Sequence, residues 1–321
     1  MAAVSERPTV VFAEGADPRI QRAAVSLIEQ EASHVILVGK QSELVECAIE
    51  HQLCLDAITL MDPADAACAD DLATYLCDIR GIKQRKVAQR MIQKPLFFAA
   101  SLVAQHTNYL LIAGAQQTTK KVLEASSLCV GYEAGLTAPS SYFVMQLPGR
   151  AEPLILADCA VAVNPDPIEL SQIAMTTARS AKHHLQDVRV AMLSFSSFGS
   201  GSDASVTKVR EATQRVKEQA PDLLITGEIQ ADAALSESIA ATKAHADDPV
   251  AGHANVLIFP DLNAGNIAYK LLQELASAQA IGPILQGFTR PVADLSRGAS
   301  TSDIIEVAKL MLDLQTNHSA I

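Results

Sequence analysis

Short apolar runs rich in β-branched residues alternate along this chain with longer stretches in which apolar positions return every three or four residues. The runs at 9–13, 35–38, 58–61, 109–112, 142–146, 154–156, 188–195, 223–226 and 256–259 predict strands. The stretches at 17–32, 65–78, 118–128, 168–184, 204–219 and 264–277 predict amphipathic helices. Such alternation requires parallel sheets covered on both faces, so the expected class is doubly wound α/β. Pro148, Gly149 and Pro153 mark a turn-rich crossing, and a second break is expected between Gly282 and Gly287. No short-period repeat or low-complexity segment interrupts the pattern.

Composition agrees with a folded chain of one large domain or two: 321 residues, 49% hydrophobic and 19% charged. The net charge of -11 disfavours nonspecific nucleic-acid or anionic-membrane binding, since both need a basic face. An anionic substrate would need its own local Arg or Lys cluster. Cys47, Cys54, Cys68, Cys77, Cys129 and Cys159 include no C-x-x-C pair, so no metal site is expected. Thiols without a signal peptide fit a reducing cytoplasm. No apolar run approaches the ~18 residues that span a bilayer, and the best candidate, 154–163, is broken by Asp158.

Candidate chemistry is densest at 291–303, which sets Ser296, Arg297, Gly298 and Asp303 around a turn that opens the last helix. A hydroxyl can polarise a carbonyl, a guanidinium can clamp a phosphate, and a helix start adds amide donors. Equally, the segment reads as a capped helix, with Ser300 or Ser302 as N-cap, Asp303 as a first-turn acid and Arg297 solvated. Gly199, Ser200, Gly201 and Ala204 satisfy G-x-G-x-x-A. That motif admits three readings: a dinucleotide loop with Glu228 on a ribose hydroxyl, a general phosphate or coenzyme loop, or a capped turn. Thr137, Ser140 and Ser141 suit phosphate binding or a turn; Arg80 beside Gly81 suits substrate or a helix C-terminus. Cys159 invites an acyl-enzyme, but a Cys after a buried strand is ordinarily a small core residue.

Several ordered segments together resemble the phosphate acetyltransferase (phosphotransacetylase) family nearly end to end. They are Val11 to Gly15 with Pro18 and Arg19, Ala113 to Ala115, Thr137 to Met145, Ala157 to Val161, Gly227 to Leu235, Asn255 to Asn266, and Asp294 to Gly298. The resemblance implies two α/β/α domains of the isocitrate/isopropylmalate dehydrogenase-like kind with a cleft between them, in a cytoplasmic homodimer. The first domain would comprise 1–147 plus 288–321 and the second 148–287. It also implies Ser296, Arg297 and Asp303 as catalytic residues. Arg80, Thr137, Ser140, Ser141, Gly199, Ser200, Arg290 and Gly298 are the candidate substrate binders. Acetyl phosphate, phosphate and coenzyme A or acetyl-CoA would be substrates, with no permanently bound cofactor.

The chain departs from many relatives at Glu124, where they carry Arg, with Lys120, Lys121 or Arg290 as nearby cations that could offset it. Phe198 stands where a Lys is frequent and Thr226 where an Asp is frequent. The implied chemistry is direct attack of the coenzyme A thiol on the acetyl carbonyl, with Asp303 as base. Alternatives are a phosphate butyryl or propionyl transferase, a nicotinamide-dependent dehydrogenase using the Gly199 loop, and a catalytically idle regulatory domain. The complete Ser296, Arg297 and Asp303 set argues against the last.

Overall fold

A computed structural model of the protein describes residues 7–318. The chain runs through β1 (Thr9–Phe12), α1 (Pro18–Glu29), β2 (His34–Val38), α2 (Gln41–Glu50), β3 (Thr59–Met61), α3 (Ala69–Asp78), α4 (Arg85–Ile92), α5 (Pro95–Gln105), β4 (Tyr109–Ala113) and α6 (Thr119–Cys129). It continues through β5 (Ser140–Gln146), β6 (Leu154–Ala157), α7 (Pro167–Ala181), β7 (Arg189–Leu193), α8 (Ala204–Gln219), β8 (Leu224–Ile229), α9 (Ala231–Leu235), α10 (Glu237–Lys243), β9 (Val256–Ile258), α11 (Leu262–Ala276) and β10 (Gln279–Gln286). β11 (Val292–Asp294) and α12 (Thr301–His318) close it.

Two compact units result: Met1–Gly135 with Phe288–Ile321, and Leu136–Gly287. The first crossing therefore falls at 135/136, not at the expected 147/148. The reason is β5, which lies between those points and pairs with β6 and β10 of the second unit.

In the first unit the strands follow the order β3-β2-β1-β4-β11, and each neighbouring pair is parallel. Thr9 lies opposite both His34 and Tyr109, and Val292 lies opposite Leu111. β1 is buried along its whole length, as a strand covered on both faces must be. Asp17 caps α1 by accepting from the Arg19 amide, and Pro18 supplies a preset first-turn φ. α1 turns Ile20, Ala23, Ala24 and Leu27 inward and packs against α12, which buries Ile304, Val307, Ala308 and Met311. Each such large apolar side chain contributes roughly 1.5–3 kcal/mol by leaving water.

The second unit is mixed rather than parallel throughout. Its order is β10-β5-β6-β9-β7-β8, with β5 antiparallel to both β10 and β6 and the remaining pairs parallel. The break expected at Gly282 to Gly287 is instead an irregularity inside β10, where the register to β5 shifts between Ile281 and Ile284. Gly282 and Pro283 fill the slip, because Pro lacks the amide a regular ladder would demand.

Candidate active site

Three loops of the first unit leave the carboxyl ends of β1, β4 and β11. The chain winds from β1 towards β3 on one side and towards β11 on the other, so β1/β4 is the switch point where ligands of such sheets gather. Glu14, buried after β1, accepts three amides from the β4–α6 loop: Ala115 at 2.7 Å, Gln116 at 2.9 Å and Gln117 at 2.6 Å. Asp294, the last residue of β11 and 1% exposed, accepts from the Thr119 hydroxyl at 2.5 Å. Its Oδ1 is buried without a hydrogen-bond partner. Burial raises this carboxyl to about 6, with the Glu14 charge adding and the Thr119 bond opposing.

Arg19 joins all three loops. Its Nε and Nη2 grip Asp17 at 3.0 and 2.8 Å, and Nη2 also reaches the Ala115 carbonyl at 3.0 Å. Nη1 donates to the carbonyls of Arg297 at 2.8 Å and Ala299 at 2.9 Å. All five guanidinium donors thus have acceptors. Burial works to raise the Asp17 carboxyl, but the Arg19 bonds and charge outweigh it and hold it below its ordinary range.

The turn carried by this clasp is exposed at Ser296, Arg297 and Gly298. Ser296 Oγ accepts the Gly298 amide at 3.2 Å, which leaves its own proton to donate. Ser300 and Asp303 form a reciprocal cap for α12: the Ser300 amide and hydroxyl each reach Asp303 Oδ2 at 2.8 Å, and the Asp303 amide returns to Ser300 Oγ at 3.2 Å. The capped-helix reading and the reactive-turn reading are therefore compatible; the cap sets where the turn ends.

In the second unit, Ser140 lines a pocket of about 230 Å³ with Pro139, Val161, Asn164, Glu169 and Thr176. Ser141 is fully buried and donates to Asp158, whose carboxylate also collects the amides of Ala160, Val161 and Ala162. Its hydroxyl is therefore committed to an internal carboxylate. Thr137 stands exposed on the loop before β5.

Gly199 and Ser200 spend their amides internally, as the capped-turn reading of the motif requires. The Gly199 amide goes to Glu228 Oε1 at 2.7 Å, the Ser200 amide to the Ser197 carbonyl at 3.0 Å and the Gly201 amide to Ser196 Oγ at 2.8 Å. Glu228 also takes the Arg210 guanidinium and the Ser196 hydroxyl at 3.1 Å and is 2% exposed, so it is closed off from a ribose hydroxyl. An internal carboxylate occupies the role the motif offers to a phosphate.

Arg80 and Arg290 are not brought to the Ser296 turn. Arg80 lies over Gly131 and donates to the Leu128 and Ser127 carbonyls at 2.6 and 2.9 Å, capping the far end of α6. That end is roughly 16 Å along the helix from its start beside Gly114. Arg290 precedes β11 and bonds the His106 carbonyl before β4, at the amino-terminal edge of the sheet. Cys159 is buried, and burial, then the neighbouring Asp158, push its thiol well above its ordinary value. Among the described residues, no three His, Cys, Asp or Glu side chains are grouped to hold a metal ion.

Glu14, Arg19, Thr119 and Asp294 flank the turn. In the sequence Glu14 stands out as a polar residue in the loop after the first strand, whereas Arg19, Thr119 and Asp294 are marked only by their place in or beside the segments that carry the family resemblance. The profile of the family described as phosphate acetyl/butaryl transferase matches residues 1–312. The phosphate acetyltransferase of Clostridium acetobutylicum is 38% identical over 315 residues, spanning 96% of this chain and 94% of the relative. That of Thermoanaerobacterium thermosaccharolyticum is 41% identical over 313 residues, spanning 95% and 94%. A crystal structure of a phosphotransacetylase from Streptococcus pyogenes superposes with a TM-score of 0.91 at 35% identity, covering 97% of this chain and 94% of that one.

Proposed function

The chain belongs to the phosphate acetyl/butaryl transferase family and is an acyltransferase; from that premise we propose that it is a phosphate acetyltransferase, moving acetyl reversibly between acetyl phosphate and coenzyme A. The observation that carries this reading is the nearly full-length match to phosphate acetyltransferases. The exposed Ser296 and Arg297 at the carboxyl end of β11 supply the chemistry it needs.

Sulfur attacks the acetyl carbonyl, the bond from the acyl carbon to the phosphate oxygen breaks, and inorganic phosphate leaves. Ser296 donates its hydroxyl proton to the developing oxyanion, and Arg297 holds the phosphoryl oxygens through two parallel bonds. The thiol proton passes to Asp303 at Oδ1, since Oδ2 is committed to Ser300. An ordinary thiol and an ordinary Asp differ by about 4.6 pKa units, or about 6 kcal/mol against that transfer. The Arg297 charge closes the gap by stabilising thiolate, so the proton is lost as the sulfur bonds. Coenzyme A enters as substrate.

The closing of the Gly199 loop upon Glu228 favours the transferase over a nicotinamide enzyme. Acyl length is the open alternative, because one methylene shifts selectivity by only ~1–3 kcal/mol. Purified protein with coenzyme A and either acetyl or butyryl phosphate, followed by thioester absorbance, tests both points. Faster turnover of acetyl phosphate is expected; preference for butyryl phosphate would support the acyl-length alternative, and no thioester from either would refute the reading. A homodimer in the cytoplasm completes the proposal. The stripe Ile267, Leu271 and Leu275, exposed on successive turns of α11, supports a subunit contact there.

A further inference from the structure

We propose that Arg19 is a positioning residue for the reacting turn, fixing where Arg297 and Ser296 present their side chains; this rests on the reading of that turn as the site of acyl transfer. The geometry is a three-loop clasp. Asp17 pins the guanidinium from the β1–α1 loop through two bonds, so its plane is set before it meets anything else. From that plane one donor reaches Ala115 after β4, and Nη1 reaches the carbonyls of Arg297 and Ala299 after β11.

Those two carbonyls bracket Gly298, so the clasp holds the peptide units on either side of the most pliable point of the turn. Ser296 and Arg297 are exposed and receive little packing of their own. Their orientation therefore depends on backbone held from below. Glu14 performs the matching task on the other side, tying the β4–α6 loop through three amides so that Ala115 offers its carbonyl to Arg19.

Arg19 has no donor left for a substrate, which separates it from Arg297. Its contribution reaches the reaction only through the turn. Lysine keeps the charge but is a point donor and cannot serve Asp17, Ala115, Arg297 and Ala299 from one plane.

The test is a double-mutant cycle on the full chain, with thioester formation and thermal melting as readouts. Arg19→Ala and Arg19→Lys are each expected to lower kcat by ~10²-fold, the scale of a misplaced reacting group, while the fold melts cooperatively. Arg19→Ala with Arg297→Ala is expected to lose clearly less than the product of the two single losses, because one of the two positioned groups is already gone. Arg85→Ala, on an exposed ion pair with Asp70, serves as the unaffected control. Losses that multiply in the double variant, wild-type kcat in Arg19→Ala, or full rescue by Arg19→Lys would each overturn the positioning role. Wild-type turnover in Arg297→Ala would instead remove the reading of the turn itself, and the role of Arg19 with it. Should Arg19→Ala not fold, Asp17→Asn loosens the clasp from its anchored end and must show the same non-additivity with Arg297→Ala.

Discussion

Arg19 and Arg297 meet at one turn and use the same side chain in opposite ways. Arg19 commits every donor to protein acceptors, whereas Arg297 offers its carbonyl to the clasp and leaves its side chain exposed. Spacing makes Arg297 a candidate because Ser, Arg and Asp stand within a few residues of one another, and the family resemblance sets that reading above a plain helix cap. Spacing could not find Arg19, whose partners lie 278 and 280 residues away. Asp294 was hidden for the same reason: its hydroxyl partner Thr119 and its neighbour Glu14 come from other strands. Arg80 takes a helix C-terminal role, but at α6, whose Leu128 and Ser127 carbonyls are not its sequence neighbours.

Two predictions belong at this scale. Burial holds Asp294 protonated up to about 6 when folded, against an ordinary 3.8. The folded state therefore keeps a proton that the unfolded chain releases near pH 4. Stability linked to it is full below that pH and lost as pH rises through about 6. Relative to wild type, Asp294→Asn should gain stability between pH 4 and 7, approaching roughly 3 kcal/mol at most. Chemical denaturation across that range checks it, and parallel profiles for the two proteins would contradict it. Cys159→Ala should keep turnover within ~3-fold, since a deeply buried thiol pushed upward by burial is a poor nucleophile. A folded but inactive variant would contradict direct attack.

At the scale of elements, legibility followed periodicity. α8 (Ala204–Gln219) has the bounds the pattern predicts, because its buried Val206, Val209, Thr213 and Val216 recur at helical spacing. α5 escaped notice because Leu96, Phe98, Ala99, Ala100, Leu102 and Val103 are all buried, so no polar face sets a period. β10 was read as a break since Gly282 and Pro283 interrupt its alternation. The β4–α6 turn yields a prediction of its own. Gly114 has φ of +102°, and a Cβ there would collide with Asp294 Oδ1 and lie 2.7 Å from the Leu295 amide nitrogen. Gly114→Ala should cost at least ~2 kcal/mol, combining backbone strain with displacement of β11. An unchanged melting temperature would argue that the turn relaxes freely.

For the whole molecule, alternation announced the α/β class, and the return of 288–321 to the first unit came from the resemblance, not from any pattern of residues. The mixed sheet of the second unit was illegible because an antiparallel strand and a parallel one look alike in a short apolar run. A chain of net charge -11 that handles anions must concentrate its cations locally, and Arg297 stands exposed after β11, next to the β1/β4 pair. The most direct measurement is therefore the steady-state kcat of Arg297→Ala for thioester formation from acetyl phosphate and coenzyme A. A loss of at least ~10²-fold, with melting temperature unchanged, is the predicted result. Turnover at the wild-type rate would contradict the account.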